Sequence, residues 1–209
     1  MKREYATLMW MCMAFSVALA LTVAVLALVG TDAKGVELSL RLTARWSFLL
    51  FWTAYAAGAM TELFGLALAP LARHGREFGL AFAAAHLVHV GLVVWLYRIS
   101  MQPPLSETLF VFFTIGIIWT YLLATLSFGL GFKALGARHW RWLRVLGLNY
   151  ILLAFARDFV PPVLDPGIAH HGYWSLAAYV PFAAMSVVAP LLCLAAAAQR
   201  RRGMRHLAA

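Results

Sequence analysis

The sequence predicts an all-α integral membrane bundle of six transmembrane helices, one domain over residues 1–209, with both termini in the cytoplasm. Three features carry that prediction: a composition suited to lipid, six apolar runs of spanning length, and a lopsided placement of Lys and Arg. Of 209 residues, 64% are hydrophobic and only 12% charged, with a mean hydropathy of +0.82. A soluble domain is nearer a quarter charged. Six spans of about 20 residues use roughly 120 positions. Short loops and tails remain, so no flavin or nicotinamide domain is expected. Any electrons handled here would come from partners and go to partners.

The first run, 6–30, follows Met1-Lys2-Arg3. It is too long for a signal-peptide core and no small-x-small site closes it, so it reads as an uncleaved helix. A polar loop of mixed charge, 31–45, leads to the second run, 46–71, which contains Gly58, Glu62 and Gly65. A basic turn, 72–77, precedes the third run, 78–97, with His86 and His89. Pro103 and Pro104 break the next connection. The fourth run is 109–130, followed by a basic loop, 131–142. The fifth is 143–159, stopped by Pro161-Pro162. Loop 163–173 holds His170 and His171, more simply solvated than metal-binding. The sixth run is 174–198, before an arginine-rich tail.

Orientation follows from the basic residues. Lys2, Arg3, Arg73, Arg76, Lys133, Arg138, Arg141, Arg144, Arg200, Arg201, Arg202 and Arg205 fall on one side: twelve. Lys34, Arg41, Arg45, Arg98 and Arg157 fall on the other: five. The richer side is cytoplasmic, and the expected location is a bacterial-type inner membrane. The net charge of +9 and pI near 10.2 would suggest nucleic acid in a soluble protein. Here the cations flank apolar runs, so lipid headgroups are the expected partner and nucleic acid is not. Trp10, Trp46, Trp95, Tyr97, Trp140, Trp142 and Trp174 read as interfacial anchors. Cys12 and Cys193 lie in apolar runs and imply no disulfide framework.

Ionisable groups inside a membrane are costly and point to function. Three qualify: Glu62, His86 and His89. The two histidines lie three residues apart and share one helix face. They sit roughly 12 and 17 Å from the start of their run, near mid-bilayer. Such imidazoles serve as haem ligands, as proton relays, or as hydrogen-bond links between helices. Glu62 reads as an intramembrane carboxyl, neutral between helices or paired with a histidine of the third run.

Two stretches resemble the ferric-reductase-like transmembrane domain family. One is Arg73-His74-Gly75-Arg76-Glu77-Phe78-Gly79-Leu80-Ala81-Phe82, followed by His86-Leu87-Val88-His89. The other is Leu135-Gly136-Ala137-Arg138-His139-Trp140-Arg141-Trp142-Leu143. The resemblance implies a six-helix electron-transfer subunit binding haem b and working with a quinone and partner proteins. It puts His89 at the haem-iron position and His86 one turn earlier. The family also places two haem-ligand histidines on the fifth helix, thirteen residues apart. Here Arg144 and Arg157 stand at that spacing. Arginine has no lone pair for iron, so these two would instead pair with Glu62, a haem propionate, a lipid phosphate or an anionic quinone-type ligand. Two readings follow. One is a haem-linked or quinone-linked electron-transfer subunit. The other is a non-redox accessory or scaffold subunit that keeps the fold. No catalytic residue is identified.

Overall fold

A computed structural model describes residues 2–101, 103–128, 130–165 and 173–207. Among them there is no strand. The helices are α1 (Lys2–Val29), α2 (Ala33–Phe64), a 3-10 turn (Leu66–Leu68), α3 (Ala69–Arg73), α4 (Gly75–Ile99), α5 (Glu107–Ser127), α6 (Leu130–Leu164) and α7 (Tyr173–Leu207). Four segments are long and apolar enough to cross a membrane: Glu4–Val29, Gly75–Ile99, Glu107–Ser127 and Ala177–Arg202. These belong to α1, α4, α5 and α7. The helices α2 and α6 are long but carry polar and charged side chains within their length.

Local chemistry sets the breaks. Gly30 (φ 115°) ends α1 in a conformation that suits glycine. The Asp32 side chain then accepts from Gly35 N at 3.0 Å, satisfying a donor at the start of α2. Gly65 (φ 95°) ends α2, and Pro70 opens α3, where its missing N–H costs nothing. Ser106 caps α5.

Several expected boundaries move. The mixed-charge stretch 31–45 is not a loop: helix runs through it from Ala33. Its charges sit on one side, with Glu37 and Arg41 paired at 4.0 Å. Ser39, Thr43 and Ser47 recur every four residues on the other side and are fully buried. The second run stops at Phe64, not at Leu71. The basic stretch 131–142 is helical, interrupted at Gly136 (φ 70°, ψ 167°). Pro161-Pro162 does not stop α6, which reaches Leu164. The prolines remove two N–H donors in the closing turn, and Asp165 N still bonds Pro161 O at 3.1 Å. The C-terminal tail continues α7 to Leu207. His170 and His171 lie outside the described residues.

The chain divides into two compact units, 1–51 with 76–150 and 52–75 with 151–209. In the first, α2 and α4 lie antiparallel: Val36 clusters with Leu92 and Leu96, and Phe51 meets Phe82 at 5.3 Å. Trp46 donates to Ala14 O at 3.0 Å, so it ties α2 to α1 instead of marking a helix end. Tyr150 donates to Phe112 O at 3.0 Å, joining α6 to α5. In the second unit, Trp52 donates to Met185 O at 2.9 Å, and Phe159 packs on Phe155 and Phe182.

Candidate functional site: the histidine seam between two helices

The seam between α2 and α4 holds the two histidines. Their rings stack, with centroids 5.1 Å apart and planes 15° from parallel. His86 also packs on Phe82 at 5.3 Å, and Phe82 in turn meets Phe51. Both histidines are half-buried. The α4 turn before them, Leu80 to Ala85, is buried and built largely of alanine, which lets α2 approach closely.

His89 has a defined partner: its Nδ1 lies 3.1 Å from Thr43 Oγ1. The Thr43 hydroxyl has one proton, and two backbone carbonyls also lie within its reach, Ser39 O at 2.9 Å and Leu40 O at 3.2 Å. With that proton on a carbonyl, the hydroxyl oxygen is free to accept from His89 Nδ1–H. A neutral imidazole protonated at Nδ1 keeps its lone pair on Nε2. The contact with Thr43 and the stack with His86 hold the ring orientation. Metal-binding histidines are commonly held in this way, one nitrogen hydrogen-bonded and the other presented to a ligand.

Thr43, Ser39 and Ser47 were not apparent as site residues in the sequence. Their spacing of four was the signal. It was obscured by Lys34, Glu37, Arg41 and Arg45, which made the stretch resemble a loop. Ser47 Oγ is buried without a hydrogen-bond partner among the described residues.

The other candidates do not join this seam. Arg144 is exposed and lies over the Trp140 ring at 6.0 Å. Arg157 is exposed and belongs to the second unit. Glu62 sits near the C-terminal end of α2, three residues before Gly65. Its Oε2 accepts from Arg200 Nη1 at 3.0 Å, so its partner is an arginine of α7 and not a histidine.

A haem needs axial ligands, and the donor set fits one of them: His89 Nε2. Helix α6 contains no histidine beyond His139, which is exposed and bonded to Leu135 O at 3.2 Å. Among the described residues no group of three or more His, Cys, Asp or Glu converges to hold a metal ion. No family model, no curated protein and no solved structure matches this chain.

Proposed function

We propose that this chain is a ferric-reductase-like electron-transfer subunit of a bacterial-type inner membrane, working with protein partners, in which His89 holds a b-type haem through Nε2. The observation that carries this reading is the Thr43–His89 hydrogen bond, which, with Nδ1 protonated, leaves the Nε2 lone pair for a ligand. The two motif stretches around 73–89 and 135–143 support it. In this reading α2 and α6 cross the membrane as well, giving six spans with both termini cytoplasmic, as the distribution of Lys and Arg favours.

Haem would supply a reversible one-electron change. The chain's own residues would orient and shield: Thr43 holds the ligand ring, His86 stacks on it, and Phe82 backs the pair. A quinone or cytoplasmic reductase would be the donor and an outer protein the acceptor. The test is an absorption spectrum of protein expressed with ample haem. A Soret band, with split α and β bands on reduction, is expected. His89→Ala should abolish it, while His86→Ala should only shift it.

A second reading is a non-redox accessory or scaffold subunit of a membrane complex. It is favoured by Arg144 and Arg157, exposed where the family has haem ligands. A colourless but folded preparation establishes this reading and removes the first.

A further inference from the structure

A cluster of cations gathers at one end of the first unit, from two separate parts of the chain. Arg76, at the start of α4, donates through Nε to Ser127 O at 3.0 Å and lies over the Phe128 ring at 5.9 Å. This fixes it at the C-terminal end of α5. Arg138, Arg141 and Arg144 recur every three residues on α6, so they form one stripe. Helix α6 runs antiparallel to α5. A Cβ at Gly147 would lie 2.8 Å from Leu123 Cδ1, and Tyr150 reaches Phe112 O. Followed back from Gly147 at 1.5 Å per residue, Arg144 lies beside the last turn of α5, and Arg141 and Arg138 lie beyond Ser127.

The α6 stripe is basic and exposed. Arg138, Arg141 and Arg144 are exposed. Among the described residues no carboxylate pairs with any of them. Between them stand Trp140, under the Arg144 guanidinium, and Trp142, 60% exposed. Helix α5 is one of the apolar spans, and its 21 residues match a hydrocarbon core of about 30 Å. The cations therefore stand at the edge of the hydrocarbon and the indoles at headgroup level, where both side-chain types prefer to lie.

We propose that Arg76, Arg138, Arg141 and Arg144, with Trp140 and Trp142, form a binding site for the phosphate headgroup of an anionic phospholipid. Guanidinium forks pair with phosphate oxygens in a bidentate way. The indoles flank the upper acyl chains. This reading does not depend on haem.

The test uses the purified full chain in mild detergent, with phosphatidylglycerol and phosphatidylcholine of identical acyl chains as probes. Bound lipid is counted by native mass spectrometry. Wild type should prefer phosphatidylglycerol by about tenfold or more, and the preference should fall as salt rises. R138Q/R141Q/R144Q should lose the preference. R138K/R141K/R144K, which keeps the charge and guards against a folding failure, should retain most of it. R200Q/R201Q/R202Q, on a different basic cluster, should behave as wild type. Equal binding of the two lipids by wild type overturns the proposal. So does an undiminished preference in the glutamine variant, loss in the folded lysine variant, or full displacement by equimolar inorganic phosphate.

Discussion

Thr43 Oγ1 and His89 Nδ1 lie 3.1 Å apart, across 46 residues of sequence. With the threonine proton on a backbone carbonyl of α2, Ser39 O or Leu40 O, the oxygen accepts from the histidine, and the ring position is set from α2. Thr43→Val keeps the shape and removes the acceptor. It should lower stability by about 0.5–1.5 kcal/mol, the net value of such a bond, with pairs inside membranes nearer the low end. Thr43→Ser keeps the hydroxyl and should recover most of the loss. Unfolding titrations of the three proteins in the same detergent measure both effects. If valine is neutral, the bond does not hold the ring.

Gly35 is where α2 starts against the end of α1. An added Cβ would meet Gly30 O at 1.9 Å, and that atom is backbone in a positive-φ residue. It has no freedom to retreat. Gly35→Ala should therefore destabilise by about 1–3 kcal/mol or more. Gly91 on α4 is the control, since nothing lies within 4 Å of its added Cβ. There Gly→Ala should be neutral or stabilise by roughly 0.5–1 kcal/mol through helix propensity. Thermal melts of the two variants should move in opposite directions.

What the sequence made legible followed from hydropathy and from residue type. The apolar runs marked where long helices lie, and the His86–His89 spacing marked one helix face. Thr43 was hidden because charge along 31–45 suggested a loop, whereas the charges occupy one side of a helix whose other side is buried. The helix through Pro161-Pro162 was hidden because proline removes a helical hydrogen bond and usually ends a helix, whereas α6 runs on to Leu164. Arg200 as the partner of Glu62 could not be read at all. Local pattern contains no information on which groups 138 residues apart will meet, and a carboxyl within an apolar run looks deeper than one placed near its end.

Gly147 is buried between α5 and α6, and an added Cβ would stand 2.7 Å from Trp119 Cε3 and 2.8 Å from Leu123 Cδ1. The indole is rigid, so the two helices must separate to admit even a methyl group. Small residues at such crossings are what allow close approach. Gly147→Ala should cost about 1–3 kcal/mol, the range for overpacking, and Gly147→Leu more. Combining Gly147→Ala with Leu123→Ala should restore part of the alanine loss. Melting temperatures of the single and double variants give the coupling between the two positions.

Glu62 and Arg200 join α2 to α7 through a 3.0 Å contact between Oε2 and Nη1. Their side chains are 31% and 55% exposed. Arg200 also lies at the end of its apolar span, Ala177–Arg202. A pair so placed is screened, and exposed pairs contribute about 0.2–1 kcal/mol. Glu62→Gln should therefore change stability by less than about 1 kcal/mol, and the difference should shrink as salt rises. A Glu62→Arg, Arg200→Glu exchange should come close to wild type, whereas Glu62→Arg alone should not. A dry, fully buried pair behaves otherwise: breaking it costs about 3–5 kcal/mol and is insensitive to salt. Denaturation curves at low and high salt separate the two cases. A loss in the larger range would place Glu62 inside the apolar layer, as an intramembrane carboxyl, and not at its edge.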